Sequence, residues 1–334
     1  MKILVTGGAG FIGSNCVRYL LENHPDDSIV NLDKLTYAGN LDNLRGIGED
    51  TRHRFVRGDI CDEALVDRLA METDAIIHFA AETHVDRSIV ASDDFIQTNV
   101  MGTHRLLEAS RKHHHRRFLH ISTDEVYGSC LEGDFNEDAP LSPSSPYSAS
   151  KASSDLLVLS YYKTYGLPAI ITRCSNNYGP YQFPEKLIPL MITNALEDQP
   201  LPLYGDGLYV RDWLYVRDHC EAIDRVFQDG KQGEIYNIGA EGGRTNLEII
   251  QAILKTLGKP QTLIRHVKDR PAHDRRYAVN PKKIQTELGW QPAFSLEDAL
   301  KKTIEWYCAN QTWWRSVKSG EYLQMAEKIY GAVL

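Results

Sequence analysis

The N-terminal segment pairs a short apolar run with closely spaced glycines. Lys2–Thr6 (KILVT) predicts a buried strand, and residues 7–13 (GGAGFIG) follow it directly. The glycines fit the spacing Gly8-x-Gly10-x-x-Gly13 and equally the wider spacing Gly7, Gly10, Gly13. A helix is predicted over Ser14–Asn23, so a pyrophosphate could approach the bare backbone at the N-terminus of that helix. The segment therefore predicts a dinucleotide site.

An acidic residue follows at the distance that such a site requires. A strand predicted over Ser28–Leu32 leads into Asp33, twenty residues after Gly13. A carboxylate in this position can accept hydrogen bonds from both hydroxyls of an adenosine ribose. Asp33 favours NAD, because the 2′-phosphate of NADP would meet its negative charge, although the adjacent Lys34 leaves that preference open.

Strands and helices alternate through the first half of the chain. Further strands are predicted over Arg54–Arg57, Ala75–Phe79, Phe118–Ser122 and Ala169–Thr172. Helices are predicted over Glu63–Met71, Asp93–Lys112 and Tyr147–Tyr165. This alternation predicts an α/β fold of the Rossmann type, with a doubly wound parallel sheet covered by helices on both faces.

The pattern changes beyond Arg173. Residues Cys174–Glu185 are rich in Asn, Gly, Pro and Tyr and predict a loop, and Lys186–Leu196 predicts a helix. We therefore predict an NAD-binding Rossmann domain over residues 1–175, to which segments near 208–240 return. Residues 176–334 are predicted to form mainly a smaller α/β domain that binds the substrate.

Charge and cysteine content exclude several classes of protein. The formal net charge of −8 argues against a nucleic-acid surface, and no apolar run approaches the roughly 18 residues of a membrane span. The six cysteines are scattered without a C-x-x-C pair, which fits reduced thiols and no zinc site. With no secretory signal after Met1, we expect a cytoplasmic protein without a resident metal or a nucleic-acid partner.

Tyr147 and Lys151 form a candidate catalytic pair. They lie four residues apart in a predicted helix, so their side chains share one face. A neighbouring ammonium and a nicotinamide cation would both favour the phenolate and lower the pKa of the tyrosine. Such a tyrosine can take a proton from a sugar hydroxyl while a hydride leaves the same carbon.

Two adjacent carboxylates follow the predicted strand Phe118–Ser122. Asp124 and Glu125 lie in the segment STDEVYG (residues 122–128), at a carboxyl end where open α/β sheets bind ligands. Elimination of water needs a base for the carbon acid and an acid for the departing hydroxide, and two close carboxylates can divide these roles. Both can reach one ligand only if the strand has already ended, because neighbouring strand residues point to opposite faces.

These segments together resemble the extended short-chain dehydrogenase/reductase family, and within it the enzymes that dehydrate nucleotide sugars. The matching blocks are TGGAGFIGS, LDKLTYAGN, FAAETHVDRS, STDEVYG, YSASKASSD, RCSNNYGPYQFPEKLIPL, VRDWLYVRDH and RPAHDRRYA. The Thr-Asp-Glu triplet is the most specific of them, since related epimerases and reductases typically differ there.

The resemblance implies a role for each catalytic residue. Tyr147 would be the base that accepts the proton of the 4-hydroxyl. Lys151 would lower the pKa of Tyr147 and bind the nicotinamide ribose, and Thr123 would hydrogen-bond to the same 4-hydroxyl. Glu125 would remove the C5 proton, and Asp124 would protonate the leaving C6 hydroxyl. The implied cofactor is NAD, the implied substrate is dTDP-glucose, and the implied assembly is a homodimer packed through the helices Asp93–Lys112 and Tyr147–Tyr165.

The resemblance also implies two sets of contact residues. The cofactor-binding set is Gly7, Gly10, Phe11, Ile12, Gly13, Asp33, Lys34, Thr36, Asp59, Ile60, Ala80, Ala81, Glu82, Thr98, Tyr147, Lys151 and Asn177. The substrate-binding set is His84, Thr123, Asn176, Glu185, Lys186, Leu187, Pro202, Tyr204, Arg211, Asn246, Arg270, His273 and Tyr277. Two other hypotheses stay open at this point: another nucleotide-sugar enzyme of the same fold (a 4-epimerase or a UDP- or CDP-glucose dehydratase), and a non-catalytic NAD-binding regulator.

Overall fold

Twelve strands and twelve α-helices make up the part of the chain that the computed structural model describes, residues 1–269 and 273–319. The strands are β1 (Lys2–Thr6), β2 (Ser28–Asp33), β3 (His53–Arg57), β4 (Ala75–His78), β5 (Arg117–Thr123), β6 (Ala169–Cys174), β7 (Asn176–Tyr178), β8 (Leu201–Tyr204), β9 (Val210–Tyr215), β10 (Ile235–Ile238), β11 (Gly243–Thr245) and β12 (Ile264–Val267). The helices are α1 (Phe11–Asn23), α2 (Glu63–Met71), α3 (Val85–Val90), α4 (Asp93–Phe95), α5 (Thr103–Lys112), α6 (Pro146–Tyr165), α7 (Leu187–Leu196), α8 (Val216–Asp229), α9 (Asn246–Leu257), α10 (Lys282–Leu288), α11 (Leu296–Ala309) and α12 (Gln311–Lys318).

The large sheet has the strand order β10-β6-β5-β4-β1-β2-β3, and every neighbouring pair in it is parallel. Its strands send alternate side chains to opposite faces. In β1, Ile3 and Val5 join one apolar core while Leu4 joins the other. Because both faces are buried, the strands read as continuous apolar runs rather than as alternating ones.

Helices cover both faces of this sheet. Helix α1 packs on one face beside α8, contributing Val17 and Leu20 to the same core as Ile223. Helices α2, α5 and α6 cover the other face, where Leu69 and Leu107 are buried. Burial of side chains of this size contributes roughly 1.5–3 kcal/mol each, and the result is a three-layer α/β/α arrangement.

The second half of the chain builds a separate apolar core. Helices α7, α9 and α11 pack together with β8 and β9, and the core includes Ile192, Ile250 and Ile304. Small sheets border it, with the orders β11-β9-β7 and β12-β8. Strand β10 is different, because it returns to the edge of the large sheet beside β6.

The predicted fold class is confirmed, and several predicted boundaries are wrong. Helix α1 begins at Phe11 rather than Ser14. The predicted loop Cys174–Glu185 contains strand β7, whose pairing with β9 depends on residues far along the chain. The predicted helix Asp93–Lys112 is helical, but its middle part, Ile96–Gly102, is a π-helix.

The helices were also compared with the length and apolar character of a membrane span. Within residues 1–269 and 273–319, no helix combines the length and the apolar character needed to cross a bilayer.

Candidate active site

A cavity of about 290 Å³ lies along the carboxyl ends of the strands in the large sheet. Residues at the ends of five strands line it: Gly7 after β1, Asp33 in β2, Phe79 after β4, Thr123 in β5 and Ser175 after β6. The chain leaves β1 toward β2 on one side and returns as β4 on the other side. Ligands of open α/β sheets bind at such a reversal of strand order.

The glycine turn forms one end of the cavity. Gly7 has a φ of +74°, and a Cβ added there would lie 2.6 Å from the backbone nitrogen of Ala80. A Cβ at Gly13 would lie 2.2 Å from the carbonyl oxygen of Gly7. Of the two glycine spacings, the wider one faces the cavity, since Gly7, Gly10 and Gly13 line it.

Helix α1 points its N-terminus into the same end of the cavity. It begins after Gly10 without a side-chain cap and has no acidic residue in its first turn. Its first N–H groups and its positive dipole end therefore suit an anion such as a pyrophosphate. A bare helix terminus beside a turn that leaves no room for side chains fits a dinucleotide.

Asp33 supports the same interpretation. Its carboxylate accepts hydrogen bonds from the backbone nitrogens of Ala9 (2.9 Å) and Leu35 (2.8 Å), so each oxygen keeps a lone pair for a ribose hydroxyl. Burial raises the pKa of Asp33, and both backbone bonds oppose that shift. The Nζ of Lys34 lies 2.7 Å from Asp59, so its charge is paired with that carboxylate. A 2′-phosphate would therefore face the Asp33 carboxylate.

A side-chain link ties the glycine turn to the C-terminal helices. The Asn43 amide is buried and donates to the Ala9 carbonyl oxygen at 2.9 Å. The indole nitrogen of Trp313 in α12 donates to the Asn43 side-chain oxygen, also at 2.9 Å. The turn is thus supported from a segment 270 residues away from Asn43 in the sequence.

The opposite end of the cavity contains the candidate catalytic residues. Strand β5 ends at Thr123, and a 3₁₀ turn, Asp124–Tyr127, follows at once. The Thr123 hydroxyl accepts a hydrogen bond from the Glu125 backbone nitrogen at 3.3 Å, which fixes the start of the turn. Because the strand has ended, Asp124 and Glu125 both line the cavity instead of pointing to opposite faces.

Tyr147 and Lys151 enter the cavity from α6. This helix begins with a capping box between Ser145 and Ser148, and the side chains of Tyr147 and Lys151 are both buried. The Lys151 ammonium donates to the carbonyl oxygen of Ile121 in β5 at 2.7 Å. The Thr123 side chain favours the ionised form of the Tyr147 hydroxyl, so the two side chains face each other across the cavity. The helix and the strand end therefore meet around one space.

Burial shifts the pKa values of these groups. It raises the pKa of Asp124 well above its usual range, and the Glu125 carboxylate raises it further. Both causes favour the protonated form of Asp124. Burial also lowers the pKa of Lys151 to about 8, against the opposing charge of Asp155.

Burial raises the pKa of Tyr147 well above its usual range, Glu125 adds to the increase, and the Thr123 side chain opposes it. The lowering predicted from the Lys151 ammonium together with a nicotinamide cation stays a prediction, and those two charges would have to outweigh this loss of solvation.

The predicted catalytic and cofactor-binding residues come together in this one cavity. Its lining includes Gly7, Gly10, Phe11, Ile12, Gly13, Asp33, Lys34, Thr36, Asp59, Ile60, Ala80, Ala81, Glu82, Thr98, Thr123, Asp124, Glu125, Tyr147, Lys151 and Asn177. Asn176, Glu185 and Lys186 of the predicted substrate set line it too. Burial raises the pKa of Glu185 to about 7, with Lys186 and Arg87 opposing the shift.

The other described members of the predicted substrate set lie outside this lining. They are His84, Leu187, Pro202, Tyr204, Arg211, Asn246, His273 and Tyr277, and Arg270 falls outside the described residues. The Nε2 of His84 is 3.7 Å from Glu185, so it lies directly behind the cavity wall. Leu187 begins α7, next to Lys186 in the chain.

Arg211 and Tyr277 form part of a polar and aromatic cluster beside the carboxylates. The Arg211 guanidinium lies 4.3 Å from the centre of the Tyr277 ring and donates to the Asp274 carbonyl oxygen at 2.8 Å. His273 stacks on Tyr209 at 3.7 Å, and Tyr204 meets the His273 ring edge-on at 5.8 Å. The charge of Arg211 opposes the rise in the pKa of Asp124, so the cluster adjoins the catalytic end.

Sequence reasoning missed a buried network behind the site. Arg173 in β6 is 2% exposed and forms an ion pair with Asp155 at 2.8 Å. The same guanidinium donates to the Tyr127 hydroxyl at 2.8 Å. A signal was present, because an arginine inside the apolar strand segment AIITRC requires a buried partner. No group of residues suited to hold a metal ion occurs in the part of the chain that the structure describes.

A family model covers most of the chain. The model of the GDP-mannose 4,6 dehydratase family matches residues 4–303. The protein belongs to this family. The resemblance to nucleotide-sugar dehydratases stated from the sequence is thereby confirmed.

Members with curated functions match nearly end to end. A dTDP-glucose 4,6-dehydratase of Streptomyces niveus is 53% identical over 323 residues, which cover 96% of each chain. The dTDP-glucose 4,6-dehydratase of Salmonella typhimurium is 51% identical over 358 residues and covers 99% of each chain.

Solved structures show the same similarity. The dTDP-glucose 4,6-dehydratase of Streptomyces venezuelae, solved with NAD and dTDP bound, matches with a TM-score of 0.94 and 51% identity. The match covers 95% of this chain and 100% of that one. A UDP-glucose 4-epimerase of Thermotoga maritima matches with a TM-score of 0.87, 30% identity and coverage of 93% and 100%.

Proposed function

We propose that the protein is an NAD-dependent hydro-lyase that converts dTDP-glucose to dTDP-4-keto-6-deoxyglucose and water. The observation that carries this proposal is the meeting of Tyr147, Lys151, Asp124 and Glu125 in the cavity that begins at the glycine turn. The first pair suits oxidation of an alcohol, and the second suits elimination of water. Relatives of about half-identical sequence carry the name dTDP-glucose 4,6-dehydratase, which supports the choice of substrate.

The glycine turn and Asp33 would hold the cofactor. The pyrophosphate would lie at the N-terminus of α1, and the adenosine ribose would bind Asp33. Lys151 would bind the nicotinamide ribose close to Tyr147. When bound, NAD supplies a hydride acceptor for sugar C4 and later a hydride donor for C6, so that no net oxidation occurs.

Tyr147 would act in the oxidation half of the reaction. Its hydroxyl must lose a proton to accept the one from the sugar 4-hydroxyl, and burial opposes that ionisation. The ammonium of Lys151 and the positive charge of the oxidised nicotinamide both favour the phenolate. Thr123 lines the cavity beside Tyr147 and would orient the same 4-hydroxyl.

Asp124 and Glu125 would divide the elimination. A ketone at C4 acidifies the C5 proton, which the Glu125 carboxylate would remove. Asp124 keeps its proton because of its raised pKa, and it would deliver that proton to the C6 hydroxyl as water departs. Return of the hydride to C6 and of a proton to C5 then gives the 6-deoxy sugar.

The second half of the chain would bind the nucleotide diphosphate. Arg211 stands beside the carboxylates and carries the fork of donors that suits a diphosphate. The neighbouring aromatic side chains Tyr204, Tyr209 and His273 offer surfaces for a base. We propose that residues 1–175, with β10, bind the cofactor and that most of residues 176–334 bind the nucleotide sugar.

A second copy of the chain would cover an apolar surface on α3 to α6. Seven large hydrophobic side chains of this surface, each 36–58% exposed, are Ile89, Val90, Ile96, Met101, Leu156, Tyr162 and Tyr165. Five of these residues lie on the two helices named in the sequence analysis, and a patch of this kind supports a homodimer. Sedimentation of the purified protein tests this assembly, and a monomer at assay concentrations contradicts it.

Conversion of dTDP-glucose in heavy water tests the reaction itself. We expect loss of one water, with deuterium at C5 and a methyl group at C6, read by mass spectrometry and NMR. Asp124→Asn should stall elimination and retain part of the exchange at C5, because it removes the acid and leaves the base.

The controls separate a wrong reaction from a wrong nucleotide. Recovery of unchanged or 4-epimerised sugar from the wild-type protein contradicts the proposed dehydration. Conversion of UDP- or CDP-glucose instead of dTDP-glucose would support the proposed dehydration and contradict the proposed nucleotide specificity.

A further inference from the structure

Arg173 contacts the two catalytic segments from behind the cavity. Its Nε lies 2.8 Å from Asp155 of α6, and its Nη1 lies 2.8 Å from the Tyr127 hydroxyl. The guanidinium carbon also lies 4.8 Å from the centre of the Tyr127 ring. One buried side chain thus joins α6 to the turn Asp124–Tyr127.

Asp155 lies on the catalytic side of α6. Tyr147, Lys151 and Asp155 are spaced by four residues, so they follow one face of the helix over two turns. Asp155 is fully buried, and its second oxygen lies 3.5 Å from His120 of β5. Its ion pair with Arg173 therefore fixes α6 one turn beyond Lys151.

Tyr127 lies two residues beyond Glu125 and ends the turn that carries both carboxylates. Its hydroxyl accepts from Arg173 and donates to the Asn237 side-chain oxygen at 2.9 Å. Asn237 belongs to β10, the strand that returns to the sheet from the second half of the chain. The position of the turn is therefore set by contacts to two strands.

The energetics of buried ion pairs favour a positioning role over a stabilising one. Desolvation of two charges offsets much of their attraction, and apolar replacements of such pairs are often neutral for stability. A buried arginine that bonds two separate segments does, however, restrict their relative position. The same sugar must meet Tyr147 at C4 and the two carboxylates at C5 and C6, and a displacement of about 1 Å can slow such a step by roughly a hundredfold.

We propose that Arg173 is a positioning residue that holds the oxidation pair Tyr147 and Lys151 in register with the elimination pair Asp124 and Glu125. This inference rests on the proposed function for its kinetic consequence. Arg173 acts through Asp155 on the first pair and through Tyr127 on the second.

Tyr127→Phe tests the contact on the elimination side, because it removes one oxygen and keeps the ring. We expect elimination to slow by about tenfold, equivalent to about 1.4 kcal/mol, while oxidation stays within about twofold of wild type. Reduced nicotinamide should then accumulate during turnover, visible by its absorbance. Tyr236→Phe is the matched control, since Tyr236 is fully buried in β10 and bonds Glu287 away from the cavity.

Asp155→Asn tests the contact on the oxidation side. We expect the reverse of the Tyr127→Phe result: oxidation slows more than elimination, and reduced nicotinamide does not accumulate. Equal slowing of both half-reactions by Tyr127→Phe, or unchanged kinetics in that variant, would overturn the proposal even if Asp155→Asn does not fold.

Thermal unfolding gives a second measurement that needs no substrate. The double variant Tyr127→Phe/Asp155→Asn should lower the Tm by less than the sum of the single variants, because both act through Arg173. Additive shifts would contradict a shared arginine. If the wild-type protein does not convert dTDP-glucose, the proposed function fails, while this measurement still decides whether Arg173 couples the two segments.

Discussion

The two ends of the cavity differ in the chemical groups that form them. The dinucleotide end consists of glycine backbone, a helix N-terminus and a carboxylate held by two backbone nitrogens. The catalytic end consists of buried side chains, with Asp124, Tyr147 and Lys151 all shifted in pKa by loss of solvent.

This difference separates binding from chemistry. The dinucleotide end binds through its shape, because its backbone leaves little free space. A larger side chain there should weaken cofactor binding without changing proton transfer. The catalytic end acts through its ionisable groups, so loss of one hydroxyl there should block a chemical step and leave the cofactor bound.

The largest effect is expected at the catalytic end. Tyr147→Phe should slow oxidation by about 10²–10⁴-fold, because it removes the base and leaves the ring in place. The measurement is single-turnover formation of reduced nicotinamide, together with the amount of NAD bound. Tyr19→Phe on α1 serves as a control for the general effect of losing a phenol. Loss of bound NAD along with the rate would break the separation between the two ends.

A smaller effect is expected from Gly13→Ala at the dinucleotide end. The new Cβ would lie 2.2 Å from the Gly7 carbonyl oxygen, so the turn must shift. A strain of about 1–3 kcal/mol corresponds to roughly 5–150-fold weaker NAD binding. Titration of NAD into the apoprotein measures this. Gly48→Ala is the matched control, since the nearest atom to its Cβ would be 3.9 Å away, and equal affinities in the two variants would refute the clash.

The smallest effect is expected from a buried histidine behind the cavity wall. His219 is fully buried and bonds Asn177, a residue of the cavity wall, at 2.8 Å. Burial lowers its pKa to about 3. Between that value and the ordinary value near 6.5, the unfolded chain binds more protons, so the free energy of unfolding falls as the pH is lowered.

Urea unfolding of wild type and His219→Gln measures this contribution. Between about pH 7.5 and 5.5, the wild type should lose about 1.4 kcal/mol more stability than the variant. The exposed His114→Gln should behave as wild type. Parallel losses in wild type and His219→Gln would show that the buried imidazole does not resist protonation.

The sequence predicted those features that depend on local spacing. The glycine turn and Asp33 lie within one short strand–turn–helix–strand unit, and the structure brings them to one end of the cavity. Tyr147 and Lys151 share a helical face for the same local reason. Strand β7 was missed because its pairing with β9 joins residues almost forty positions apart. Arg173 was missed because its partners, Asp155 and Tyr127, come from two other segments.

The link from Trp313 through Asn43 to Ala9 has a consequence for biosynthesis. A ribosome adds Trp313 270 residues after Asn43, so the glycine turn is made long before its support. The nascent chain lacks this support while those residues are added. Full capacity to retain a dinucleotide should be acquired late, when α12 leaves the exit tunnel and docks against Asn43.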